Sequence, residues 1–217
     1  MKSETILAGI IILLLISFPT CKPSEKDDNV NYLSRVEKDV ILEMNKVRTD
    51  PQKYAQLYLQ PELQYYDGKT YRKPGQIAMI TSEGKEAVEE CIAALSKMAK
   101  GSALSPELGL SRAAKDHADD QGRTGQTGHT GSDGSDFISR IQRYGGGYLS
   151  VGENIAYGDD VARDIVIRLL IDDGLPSRGH RTNIMNPQYT KTGIAVGSHP
   201  RYGSMCVIDL ADKYTSK

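Results

Sequence analysis

The chain has 217 residues, of which 39% are hydrophobic, enough to build the core of one domain of ordinary size. Its 27 basic and 28 acidic residues nearly cancel. There is therefore no basic footprint, and no nucleic acid is expected as a partner. Tryptophan is absent and tyrosine occurs 12 times, so tyrosine is expected to carry much of the aromatic packing and hydrogen bonding.

Residues 1–20 read as a targeting segment rather than fold. Lys2 is a thin positive start, Ile6 to Phe18 is an apolar run shorter than the ~20 residues a spanning helix needs, and Cys21 closes it. The pattern is similar to a bacterial lipoprotein signal, in which Cys21 is lipidated, becomes the new N-terminus and anchors the chain to a membrane. Glu4, Phe18, Pro19 and Thr20 depart from that pattern, which leaves secretion with cleavage nearby, or an uncleaved anchor, as alternatives. Each route exports the domain. Residues 21–32 are too polar to bury anything and read as a solvated tether, and the folded domain is assigned to 33–213.

Leu33, Val36, Val40, Met44 and Val47 recur at helical spacing and predict an amphipathic first helix. Asp50-Pro51 stops it and caps a second, with Tyr54, Leu57 and Tyr58 expected inside. Residues 64–81 read as a loop or short hairpin. Val88, Cys91, Ile92, Leu95 and Met98 predict a helix over 83–100, and Ser105-Pro106-Glu107 is expected to cap and open a third long one. His117 lies on the apolar face of that helix with Leu110, Ala113, Ala114 and Ala118, so it reads as a hydrogen-bonded core residue.

Ser132 to Asp136 is expected to cap a short helix ending at Arg143, and residues 144–150, with three consecutive glycines, form a loop. The segment Asp133-Gly134-Ser135-Asp136 lacks the regular spacing of oxygen ligands that a calcium loop needs. Ala162, Ile165, Val166 and Leu169 predict a further helix ended by Gly174. After Pro187 the period changes to two: Ile194 and Val196, then the apolar run Met205 to Ile208, are strands joined as a hairpin through residues 199–203.

Three segments concentrate imidazoles and acids beside glycines: Gly128-His129-Thr130-Gly131-Ser132, Gly152-Glu153-Asn154-Ile155, and Gly179-His180-Arg181-Thr182-Asn183-Ile184-Met185-Asn186-Pro187. Spacing alone does not bring them together. Taken in order, they resemble the signature segments of the CAP superfamily, also called the SCP domain, over roughly residues 33–211. The resemblance implies an α/β fold, a three-layer α-β-α sandwich around a central, mostly antiparallel sheet. It also implies a surface cleft where two His and two acids converge. By motif position these are His129, Glu153 and His180, with Asp172 offered for the fourth place, where many relatives carry a longer Glu, and Asp173 in reserve.

His129, Glu153 and His180 form the expected metal set, a zinc-type site with one position open to water. Asp172 would then be the proton acceptor of a metal-dependent, peptidase-like hydrolase, with these four residues as catalytic candidates. The competing and leading reading is a surface binding module, with the cluster as a polar floor that holds a divalent metal weakly if at all. Lipid or another small hydrophobic ligand, or a host or envelope protein, is the partner the resemblance offers. No Gly-x-Ser-x-Gly or His-Glu-x-x-His segment is present, and a fold does not supply a reaction. Arg181 is expected to pair with an acid and Asn183 to cap or turn the segment before Pro187. Cys91 and Cys206 form an even pair that invites a disulfide in an exported chain, yet each lies in an apolar setting where a free thiol is equally at home.

Overall fold

The computed structural model describes residues 30–217. The targeting segment, Cys21 and nearly all of the tether lie outside the described residues. Helix α1, Arg35–Thr49, starts in a capping box: the Glu37 N–H donates to Ser34 Oγ and the Glu37 carboxylate accepts from the Ser34 N–H. Asp50 caps α2, Pro51–Tyr54, whose chain continues through a π turn, Ala55–Leu59, and a 3-10 turn, Gln60–Tyr65. That continuation shifts the helical phase, so Leu57 faces solvent instead of the core. Residues 66–80 hold a small antiparallel meander, β1 Tyr66–Asp67, β2 Thr70–Tyr71 and β3 Met79–Ile80.

Helix α3, Lys85–Lys97, follows, with Asp173 accepting the N–H groups of Ser82, Glu83 and Gly84 ahead of its start. Ser105-Pro106 is a short strand, β4, not a cap. Pairing with the main sheet claims its backbone, and α4, Leu108–Thr124, begins after Glu107 with no side-chain cap. Asp136 alone caps α5, Phe137–Tyr144, through the Ser139 N–H, because Ser132 is occupied with Asp120. Strand β5, Gly145–Gly146, then leads to β6, Val151–Tyr157, a strand that period-two reading of the sequence does not mark. Helix α6, Ala162–Ile171, ends on Asp172 rather than Gly174, and α7, Gly179–Met185, is a second unmarked element. The hairpin of β7, Lys191–His199, and β8, Gly203–Ala211, and then β9, Thr215–Ser216, complete the chain.

The main sheet has the order β4-β7-β8-β6, parallel only at β4-β7, which makes it mostly antiparallel. Strand β8 is central, and its alternate residues face opposite layers. Cys206, Ile208 and Leu210 pack with Val40, Met44, Cys91, Leu95, Ile165 and Leu170 from the α1, α3, α6 side. Met205, Val207 and Ala211 pack with Ala114, Ala118, Leu110 and Ile141 from the α4, α5 side. The α-β-α sandwich follows from this division. Helix α4 lies so close to β7 that a Cβ on Gly193 would sit 2.1 Å from the Leu110 carbonyl carbon and the Ser111 nitrogen.

Two side chains from the helices close the outer edge of β7 beyond β4: Ser111 Oγ accepts the Ile194 N–H at 3.2 Å, and Glu37 Oε1 accepts the Val196 N–H at 3.0 Å. Arg48, fully buried, donates to the carbonyls of Ile184, Asn186 and Tyr189 at 2.6–2.9 Å, so α1 is tied to the segment after α7. Cys91 donates to the Leu170 carbonyl at 3.2 Å, while Cys206 sits inside β8. Both thiols are free.

Candidate functional site

Strand β6 carries Glu153 and Asn154 to opposite faces of the sheet, and one histidine arrives on each side. On the α4, α5 side, His129 Nδ1 meets Glu153 Oε1 at 2.8 Å. The other oxygen, Oε2, accepts from Arg140 of α5 at 2.8 Å. Arg140 is 2% exposed and also donates to the carbonyls of Ser135 and His129. The Glu153 carboxylate is therefore fully committed: one oxygen orients the imidazole and one neutralises a buried guanidinium.

Directly opposite Glu153 in the β8 register lies Asp209, completely buried. No described N–H or O–H reaches either of its oxygens, and its polar neighbour is the Glu153 carboxylate. Two carboxyls in contact pair only if one carries a proton. Burial, with Glu153's charge adding to it, pushes the Asp209 carboxyl well above the usual range, so the proton is held there. His117 of α4 stands nearby as the core residue its apolar face predicts, its Nε2 at 2.8 Å from the Gly128 carbonyl. Burial lowers its proton affinity.

On the other face, Asp172 ends α6 in a left-handed conformation, φ 56°, where few residues other than Gly are comfortable. That turn aims the carboxylate at the start of α7. Oδ2 accepts the His180 N–H at 2.9 Å and Oδ1 meets His180 Nδ1 at 2.6 Å. Arg178 is also left-handed, φ 49°, and binds Glu83 through both oxygens, which fixes the 172–178 loop to the start of α3. Arg178 holds the Glu83 carboxyl down at about 2. The Asn154 side chain donates to the His180 carbonyl at 3.0 Å and accepts from Asn183, joining α7 to β6. Arg181 pairs with Glu90 of α3, the acid its sequence context left unnamed.

The structure thus places His129 with Glu153, and His180 with Asp172, as two imidazole-carboxylate pairs on the two faces of one strand. Asp173 belongs to neither pair, being spent ahead of α3. Both imidazoles have Nδ1 engaged, which fixes the tautomer in which Nδ1 carries the hydrogen and leaves the Nε2 lone pair for another partner. Among the described residues no three His, Cys, Asp or Glu side chains form a metal-ligating group. A cavity of about 310 Å³ opens beside His180, between α6, the β1–β3 meander and β6. Sequence reasoning missed Arg140 and Asp209. Arg140 carries no motif, and Asp209 interrupts an apolar run, which is a signal in itself.

The chain belongs to the CAP, or cysteine-rich secretory protein, family, whose model matches residues 43–210. Among solved structures it is similar to an outer surface protein of Borrelia burgdorferi, with 22% identity, TM-score 0.43, and 50% of this chain and 76% of that one covered. It is also similar to an extracellular SCP-domain protein of Bacillus anthracis, with 24% identity, TM-score 0.42, and coverage of 52% and 35%. A cysteine-rich secretory protein of Staphylococcus aureus gives 13% identity, TM-score 0.38, and coverage of 59% and 37%. The chain spans little more than a third of the length of the last two. No curated protein sequence matches it.

Proposed function

We propose that this is an exported binding module, held at the cell envelope through Cys21 or released, which presents two pre-oriented imidazoles, one on each face of β6, to a small ligand or a divalent metal. The observation that carries the reading is that every oxygen of Glu153 and Asp172 already has a partner. Glu153 accepts from His129 and Arg140, and Asp172 accepts twice from His180. Carboxylates used this way position histidines, as outer partners of a metal do. The nitrogens these pairings leave available to a metal are Nε2 of His129 and Nε2 of His180, each on its own face of β6, in place of the two-His, one-Glu set expected from the motifs. Two neutral imidazoles suit zinc over magnesium, with low affinity. Bound zinc would supply Lewis acidity. Neither acid, however, is free to take a proton from water, and this weighs against the alternative, a metal-dependent hydrolase. A lipid or another small molecule would enter beside His180.

Calorimetry with zinc tests the reading. Wild type should bind, His129→Ala and His180→Ala should lose the heat, and Glu153→Gln should weaken binding about 10- to 100-fold, as removing an outer partner does. Unchanged heats in both histidine variants would place the metal elsewhere.

A further inference from the structure

The two ends of the main sheet are treated differently. At β7 the outward N–H groups of Ile194 and Val196 are capped by Ser111 and Glu37. At β6, the other edge strand, the same accounting leaves groups over. The Gly158 N–H donates to the Ser204 carbonyl, so residue 158 is a hydrogen-bonded position of the β6-β8 pair. Hydrogen-bonded and non-bonded positions alternate along an antiparallel pair. The N–H and C=O groups of Tyr157, Ile155 and Glu153 therefore point away from β8. Asn183 reaches the Glu153 carbonyl at 3.4 Å and closes that end. Among the described residues, no hydrogen bond reaches the outward main-chain groups of Ile155 or Tyr157. An edge left with unpaired amides is a template for another strand.

The cavity beside His180 runs along this same stretch, with Ile155, Ala156 and Tyr157 in its wall. Five acids line it, Glu62, Asp159, Asp164, Asp172 and Asp173, against Arg168 and the His180 imidazole. Lys73 reaches Glu62 and Asp164 from outside, and the acids still outnumber the bases. At the rim stand Ile80, 75% exposed, and Leu175, 45% exposed. Apolar side chains left open next to unpaired backbone and an acidic wall are complementary to an extended segment that alternates basic and apolar residues.

We infer that the free edge of β6 at Ile155 to Tyr157 is a strand-addition site for an extended basic-apolar peptide segment of a partner protein. Main-chain bonds to Ile155 and Tyr157 supply the docking, the acidic wall selects basic side chains, and Ile80 and Leu175 cover the apolar ones. The peptide would pass between the two faces that carry His129 and His180. The inference goes beyond the imidazole reading, since it requires no metal.

The test uses a fluorescein-labelled, end-capped peptide of alternating lysine and valine, with chelator present so that the outcome is separate from zinc. Anisotropy should report binding, weakened about tenfold by Ile80→Lys and by Leu175→Lys, surface changes that add like charge. The same peptide N-methylated at alternate amides should bind at least about tenfold more weakly, because the strand pairing is removed. Hydrogen exchange at the Ile155 and Tyr157 amides should slow on saturation. No binding to normally melting protein overturns the inference, as does equal binding of the N-methylated peptide or of a glutamate-valine peptide. So does unaltered exchange at Ile155 and Tyr157 when the peptide is bound. A dimer in sedimentation that protects those two amides would also overturn it, making a second copy the occupant.

Discussion

Replacing Arg140 with Met removes a cation that holds the site from beneath. The methionine keeps most of the aliphatic volume but none of the donors. Three bonds vanish, to the carbonyls of Ser135 and His129 at 2.9 and 3.1 Å and to Glu153 Oε2 at 2.8 Å. Glu153, 5% exposed, is then left as a buried carboxylate with no cation against it, held by His129 and the protonated Asp209 carboxyl. Breaking a buried ion pair by removing one partner costs about 3–5 kcal/mol. For a domain of this size each kcal/mol moves the melting temperature by roughly 2–4 °C, so Tm should fall by about 6–20 °C. Urea unfolding should show a lower midpoint with unchanged slope, the mark of a stability change without a change in the exposed surface. Adding Glu153→Gln removes the stranded charge. The double variant should therefore be more stable than Arg140→Met alone, a coupling that a cycle measures directly. A loss below about 1 kcal/mol, or strict additivity, would refute the account of Arg140 as the counter-charge of this cluster.

Asp209→Asn should be more stable than wild type at neutral pH. The folded-state affinity of Asp209 for its proton is raised by burial and by Glu153, so its contribution is complete below the unfolded carboxyl range near 3.8 and is lost as pH rises toward the folded value. Asparagine has no such proton to lose. The two stability profiles should converge at low pH and separate above about pH 4, and parallel profiles from acid to neutral would contradict the shared proton. Cys91 and Cys206 should both resist a thiol reagent in the folded protein and both react in denaturant, as peptide mapping would show. Burial pushes the Cys91 thiol up to about 11 and raises Cys206 as well, so neither is a thiolate at neutral pH. A disulfide-linked peptide in the map would contradict the free thiols.

Much of the fold is legible in the sequence because α1, α3, α4 and α6 each bury one stripe against the sheet, and a stripe leaves a 3.6-residue period. Strand β6 leaves no such trace. It is buried on both faces, and its inward residues include Glu153 and Asn154, which pair with His129, Arg140, His180 and Asn183 rather than with apolar neighbours. Polar residues satisfied by distant partners look like surface to any local reading. The motif positions of His129, Glu153, His180 and Asp172 could be named, but not their pairing. The pairing of His180 with Asp172 depends on two left-handed residues, Asp172 and Arg178, at positions where neither Gly nor Asn announces the turn. Ser105-Pro106-Glu107 misleads for a related reason: good capping residues are overruled when a neighbouring strand claims their backbone.

Arg48 has a consequence for how the chain reaches its native state. Its guanidinium lies on the first helix, yet three of the carbonyls it holds come 136 to 141 residues later. Until the segment from Ile184 onward exists, that cation has only the Ser102 carbonyl as an acceptor and the α1 side of the core cannot seal around it. Contacts so distant in sequence slow folding, because a long loop must close before they form. Such a chain stays open while it is synthesised and closes only when about its last sixth arrives.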